Sequence, residues 1–144
     1  MSCYVTFYYG DLTNIKEEDN FNYNKAPCLL SLTSRNELGE CFTIFEADKP
    51  TLVTKDHIER IREKVDYYIE SVEKDIQACR EIKQSILNNI NQGDYDENTY
   101  RINQCNQDID ELTADIDWAK DRLGALSVVE ELLDKSYQVT VIIG

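Results

Sequence analysis

Apolar residues recur at helical spacing through the middle of the chain. One stripe returns every seven residues and a second lies three residues further on, interrupted by Asp75. The two stripes are Ile58, Val65, Val72, Cys79 and Ile86, and Ile61, Tyr68 and Ile82. This spacing predicts a long amphipathic helix that begins near Lys55, with Thr54 as its cap, and stops before Gly93.

The next segment repeats the pattern without a fault. Its two heptad positions hold Ile102, Ile109, Ile116 and Leu123, and Cys105, Leu112, Ala119 and Leu126. Asp94 or Asp96 can cap this second helix. Because only a few residues separate the two helices, they are expected to run antiparallel and pack on each other. Ser127 with Glu130 matches a capping box, which predicts a kink or a fresh helix there.

Strand patterns flank the predicted hairpin. Residues 3–9 alternate with Cys3, Val5, Phe7 and Tyr9 on one face, and residues 137–143 form a closing strand. Two further apolar runs, residues 28–33 and 41–46, are expected to pair as a β-hairpin.

The predicted fold class is α+β. About four antiparallel strands form a small sheet, and a long antiparallel α-helical, coiled-coil hairpin is inserted before the last strand. We expect a single domain over residues 1–144, with a sheet base from residues 1–53 and 136–144 and a hairpin from residues 54–135. Whether the hairpin projects from the sheet or folds back on it stays open.

Composition fits a packed intracellular domain. Of the 144 residues, 42% are hydrophobic and 30% are charged, which favours a core over disorder. No apolar run approaches the roughly 20 residues that span a bilayer, and the N-terminus does not resemble a signal peptide. The five cysteines are odd in number and lack a Cys-x-x-Cys pair. They are expected to be free thiols in a cytoplasmic, reducing compartment, the host cell cytoplasm if the gene belongs to a phage.

The net charge of the chain limits the classes of partner that it can bind. The net charge is -13, and residues 94–144 carry twelve acids against four basic residues. Such a balance disfavours direct binding to nucleic acid and to anionic membranes, and it favours a basic protein partner.

The sequence contains few residues or motifs that could serve in catalysis or metal binding. His57 is the only histidine, and we interpret it as a surface residue of the first helical turn. No phosphate loop or hydrolase motif is present. Residues 94–98 resemble the start of a calcium loop, but Thr99 and Cys105 stand where glycine and glutamate are required. We therefore expect no enzyme activity, cofactor or metal.

Acidic rows and aromatic residues predict an interaction surface on the second helix. Acids recur there at steps of three, four or seven residues, and an exposed aromatic beside charge is a plausible anchor for an interface. The predicted partner-binding residues are Asp110, Asp115, Asp117, Trp118 and Asp121, with Tyr67 across the hairpin.

The first helix has more apolar surface than one seam requires. Ile69, Ile76 and Ile90 lie beside its main stripe. Either the chain's own sheet or a second copy covers them, and the second possibility predicts a homodimer.

Three functions follow, in order of preference. The first is a non-catalytic acidic protein that binds and blocks a basic protein surface. By type alone it resembles the inhibitors that phages and mobile elements encode against host nucleic-acid-binding or defence proteins. The second is a self-assembling coiled-coil scaffold. The third is a small-ligand binder that uses the sheet and the long connection at residues 10–27.

Overall fold

The computed structural model describes residues 2–13, 28–35 and 41–144. The elements are β1 Ser2–Tyr9, β2 Cys28–Arg35, β3 Thr51–Leu52, α1 Lys55–Asn88, α2 Tyr95–Asp134 and β4 Val139–Ile143. The predicted class is confirmed. An antiparallel four-stranded sheet carries two long packed helices between β3 and β4.

The chain divides into two compact units. The sheet unit comprises the described residues of Met1–Asp66 and Asp121–Gly144, and the hairpin unit comprises Tyr67–Lys120. Both helices contribute to both units. The single domain expected from the sequence stays a prediction.

The sheet has the strand order β2-β1-β4-β3. The predicted closing strand therefore lies inside the sheet, with β1 on one side, where Val5 pairs with Ile143, and β3 on the other, where Thr51 pairs with Val141.

Strand β4 is covered on both faces. Residues 139–142 are all buried, and successive side chains of a strand point to opposite faces. Thr140 is fully buried, and its hydroxyl donates to the carbonyl of Gly10 at 2.7 Å and accepts from the amide of Leu12 at 3.1 Å. The segment after β1 thus satisfies the one polar side chain in this strand.

The predicted face of β1 is confirmed at Val5 and Phe7, which are fully buried. Tyr9 is instead 41% exposed, and its ring lies 5.4 Å from that of Tyr137. The Cys3 side chain lies outside the described part.

The strand predicted at residues 41–46 is wrong, because this segment forms turns. Phe42 and Phe45 are both buried, and the amide of Phe45 donates to the carbonyl of Phe42 at 3.2 Å. Burial three residues apart is turn spacing, whereas a half-buried strand buries alternate residues. The observed third strand is the short β3. The intended turn at residues 36–40 lies outside the described residues, as do residues 14–27 of the long connection.

Helix α1 begins at Lys55, as predicted, and ends at Asn88, a turn earlier than expected. Short turns then lead to Gly93, whose φ of 84° is a left-handed conformation that suits glycine. The Asp94 cap is confirmed, since Oδ1 accepts from the amides of Asp96 at 2.8 Å and Glu97 at 3.3 Å.

Helix α2 runs unbroken over 40 residues, so no fresh helix starts at Ser127, and the alternative of a kink there stays a prediction. The Ser127 hydroxyl donates to the carbonyl of Leu123 at 3.2 Å, inside the helix, and does not cap a new one. The helix ends in a Schellman motif, in which the amide of Tyr137 donates to the carbonyl of Leu132 and Ser136 takes a φ of 66°.

The seam of the hairpin confirms α2 and corrects α1. All eight predicted positions of α2 are buried or half-buried. On α1, Ile61 is buried and Tyr68 is packed in the seam, as predicted. Further along, Ile76 is 6% exposed while Ile82 is 49% exposed, so beyond Tyr68 the second stripe lies one residue later than predicted. Asp75 therefore does not interrupt the seam. A strict heptad drifts by about 20° per repeat on a straight helix, which moves burial to this later position.

Candidate interaction surface of the hairpin unit

The acidic surface lies on the part of α2 that belongs to the hairpin unit. Between Arg101 and Lys120 this helix carries five acids and no basic residue. Three of the acids are exposed and two are half-buried. The exposed acids are Asp110, Glu111 and Asp117, and the half-buried acids are Asp108 and Asp115.

No basic side chain of the described residues pairs with these carboxylates. The ion pairs within 4 Å all lie in the sheet unit, and they are Lys49–Glu46, Lys55–Asp134, Arg62–Glu130 and Arg122–Asp121. Within the hairpin unit, Gln104 Nε2 donates to Asp108 at 3.0 Å and Gln107 Nε2 donates to Glu111 at 3.2 Å. An amide carries no charge, so these hydrogen bonds do not neutralise the carboxylates.

Trp118 and Tyr67 lie at one level of the hairpin. Ile69 packs against a buried cluster that includes Ile116. Tyr67 lies two residues before Ile69, and Trp118 lies two residues after Ile116. Tyr67 is 75% exposed, while Trp118 is half-buried. The structure thus brings both predicted aromatics to the same part of the hairpin as Asp115 and Asp117.

Asp121 stands apart from the other predicted partner-binding residues. It belongs to the sheet unit, and its Oδ2 accepts from Arg122 Nη1 at 3.0 Å. A carboxylate paired in this way attracts a basic partner less than the unpaired Asp110 or Asp117.

The predicted self-association residues have different environments. Ile76 is buried in a cluster with Val72 and Ile116, and Ile69 is packed against that cluster. The facing helix therefore contributes to their cover. Ile90 is 37% exposed in the turn of the hairpin.

Of a group of exposed apolar residues around that turn, sequence reasoning identified only Ile90. Five of the eleven large hydrophobic residues that are exposed in the described part fall within residues 82–100. They are Ile82, Leu87, Ile90, Tyr95 and Tyr100. The available signal was the loss of the heptad stripe before Gly93, because apolar residues off a seam have no partner on the facing helix.

A shallow groove of about 520 Å³ opens at the same turn. Ile82 and Ile86 lie on one side, and Asn98 and Arg101 on the other. Asn98 Nδ2 donates to the carbonyl of Gln92 at 3.0 Å and so ties the turn to the start of α2. The groove is open and mostly polar, which does not match an enclosed small-molecule site.

His57 has a structural position at the start of α1. Its amide donates to Thr54 Oγ1 at 3.3 Å, and its Nδ1 accepts from the Thr54 amide at 3.1 Å. The ring lies edge-on to Phe45, with centroids 5.0 Å apart. Partial burial, followed by the charge of Arg60, lowers the pKa of His57, whereas Asp56 raises it. This reciprocal capping accounts for the position of His57 at the start of α1.

Within the described ranges, no three histidine, cysteine, aspartate or glutamate side chains are placed to hold a metal ion. No helix in these ranges is both long enough and apolar enough to cross a membrane.

The chain matches no protein-family model, and comparisons with curated proteins and with solved structures give no match.

Proposed function

We propose that this is a non-catalytic interaction protein whose hairpin unit binds and blocks a basic surface of another protein. The observation that carries the proposal is the run of five acids on α2 without a basic residue among them or an ion pair to any of them. Exposed carboxylates of one sign contribute little to a fold, whereas they steer a positively charged partner.

In the proposed complex, Tyr67 and Trp118 slow dissociation of the partner. Charges mainly raise the association rate, and buried aromatic anchors slow dissociation. Tyr67 offers an exposed ring, and Trp118, which follows Asp117 in the helix, offers its uncovered part.

A nucleic-acid-binding or defence protein of a host cell fits as the partner, because such proteins present basic surfaces that an acidic helix can occupy. The protein then acts as a competitive blocker, in the manner of phage and mobile-element inhibitors.

The test begins with affinity capture from a lysate of the native host, at low and high salt. Binding of the captured partner is then measured by surface plasmon resonance. We expect Asp110→Lys with Asp117→Lys to slow association about tenfold or more and to flatten its salt dependence. Trp118→Ala should instead speed dissociation and weaken binding by about 2 kcal/mol.

A charge-matched control separates the local effect from net charge. Glu59→Lys with Glu131→Lys changes the same number of charges at exposed positions of the sheet unit. If this control slows association as much as the hairpin variant does, the hairpin unit is not the binding surface. Circular dichroism verifies that all variants remain folded.

Self-association remains a second candidate, favoured by the exposed apolar residues around the turn. Light scattering should then give a mass above the 16.7 kDa of one chain. Replacing Ile82 and Ile90 with serine should restore that monomer mass, whereas serine at Tyr4 and Tyr137 of the sheet unit should not. A parent protein that is monomeric at tens of micromolar concentration would remove this candidate. The ligand-binding hypothesis uses the sheet and the connection at residues 10–27, of which residues 14–27 lie outside the described part.

A further inference from the structure

Two cysteines lie on the facing helices of the hairpin unit, each seven residues nearer the turn than a residue of one packed group. Val72 and Ile76 of α1 form a buried cluster with Ile116 of α2, and Leu112 packs against it. In an antiparallel pair, a step of seven residues towards the turn on one helix corresponds to the same step on the other. The step from Val72 leads to Cys79, and the step from Leu112 leads to Cys105.

Burial and electrostatics agree with this register. Cys105 is 8% exposed and Cys79 is half-buried, so both belong to the seam. Burial raises the pKa of Cys79, and Asp108 and Cys105 of the facing helix raise it further. Both cysteines are free thiols in this structure.

The packing of helices permits a bond between facing cysteines. Helix axes lie about 8–10 Å apart, and each Cα lies about 2.3 Å from its axis. Facing Cα atoms are then separated by about 3.5–5.5 Å on the line between the axes, and by more when they lie off it. A disulfide requires Cα atoms about 4.4–6.8 Å apart, which overlaps this range.

We propose that Cys79 and Cys105 form a dithiol across the seam, which a low-molecular-weight disulfide such as oxidised glutathione converts into an intrachain disulfide. The more exposed Cys79 attacks first as the thiolate, forms a mixed disulfide and releases one glutathione. Cys105 then attacks the sulfur of Cys79 and releases the second. Two protein thiols are oxidised by two electrons, one external disulfide is reduced, and the two protons leave with the two glutathione thiols.

The bond would close a loop that contains the whole turn of the hairpin. This loop includes the exposed residues Ile82, Leu87 and Ile90 and the groove beside them. Closing it limits fraying at the end of the hairpin, where few side chains are fully buried. The disulfide would thus hold the two helices together next to the turn, and its formation does not depend on the proposed partner.

Peptide mapping tests the bond directly in the full-length protein. Trypsin should cut after Lys74, Arg80, Arg101 and Lys120, which places the two cysteines in the peptides 75–80 and 102–120. After treatment of the folded protein with oxidised glutathione, we expect these peptides to be joined, with a mass lower than their sum by two hydrogen atoms. Joining in urea should be at least about tenfold slower, because the fold supplies the proximity.

The exposed Cys28 serves as an internal control for the oxidant. The proposal is overturned if Cys28 takes up glutathione while Cys79 and Cys105 stay free or each carry a separate glutathione. It is also overturned if the joined peptides form equally fast in urea. Hydrogen exchange provides the functional readout, with amides of residues 80–104 expected to exchange about tenfold more slowly after oxidation and to recover with dithiothreitol. Cys105→Ser should show neither the bond nor this protection, and retention of either by that variant would contradict the assignment.

Discussion

The sheet unit and the hairpin unit hold the same two helices by different means. All eleven of the largest fully buried side chains lie in the sheet unit, among them Phe7, Ile58 and Leu126. In the hairpin unit the buried cluster of Val72, Ile76 and Ile116 is 5–7% exposed. The ion pairs follow the same division, since all of those among the described residues lie in the sheet unit.

This difference indicates where stability and function are concentrated. Fully buried apolar side chains and paired charges stabilise a fold, whereas unpaired charges and exposed aromatics contribute little to it. The sheet unit therefore supplies most of the stability, and the hairpin unit is free to present its carboxylates and aromatic rings.

The largest test places a charge in each core. Leu126→Asp buries a carboxylate in the sheet unit and should cost about 4 kcal/mol or more of the free energy of unfolding, measured in urea by circular dichroism. Ile116→Asp should instead open mainly the hairpin unit, so that hydrogen exchange of β1 and β4 stays slow. Val128→Asp, at an exposed position two residues from Leu126, is the control. Equal loss of protection throughout both aspartate variants would show that the two units unfold as one.

A second test compares two isoleucines of α1, one buried in the seam and one exposed. Ile76→Ala should cost about 2–4 kcal/mol because it leaves a cavity in the seam. Ile82→Ala should cost under about 1 kcal/mol because its side chain is 49% exposed. Urea unfolding of the two variants checks the seam, and the opposite order of costs would restore the stripe predicted from the heptads.

A third test addresses the charges. Glu130→Gln removes the partner of Arg62, whose Nη2 lies 2.9 Å from the carboxylate and whose Nε is buried without a hydrogen bond. We expect a loss of about 1 kcal/mol. Asp110→Asn should leave stability unchanged within about 0.5 kcal/mol, since Asp110 lacks an ion pair. Equal destabilisation by both substitutions, in the same urea assay, would remove the contrast between paired and unpaired acids.

The smallest test uses pH. The capping role of His57 requires an unprotonated Nδ1, and its pKa is lowered in the folded protein. The contribution of His57 to stability should be complete above the unfolded pKa of about 6.5 and should be lost as the pH falls through the lower folded value. The difference in unfolding free energy between the parent and His57→Asn should therefore shrink on acidification. A difference that stays constant from pH 8 to pH 5 would argue against the Nδ1 bond.

Sequence reasoning succeeded where local rules decide the structure. Thr54 and Asp94 cap the helices that were expected, and Gly93 takes its left-handed conformation. It failed at residues 41–46, where β-propensity suggested a strand but Phe42 and Phe45 fill the core from a turn. Propensity cannot anticipate such tertiary packing.

The candidate site was only partly predictable for a related reason. The exposure of Asp110 and Asp117 follows from their outer heptad positions. The pairing of Asp121 with Arg122 does not, because neighbouring side chains choose their rotamers from the packing around them. The later stripe through Ile76 depends on helical drift, which a strict seven-residue count ignores.

The position of β4 between β1 and β3 constrains the order of folding. Pairs such as Val5 with Ile143 and Thr51 with Val141 join residues that are far apart in the chain, so an unfolded chain pays a large entropy cost to form them. Contacts across the hairpin span much shorter stretches. If α1 packs onto α2 progressively from their turn, β4 is brought back to the other strands. The hairpin unit, although the less stable of the two, would then form early and guide assembly of the more stable sheet unit.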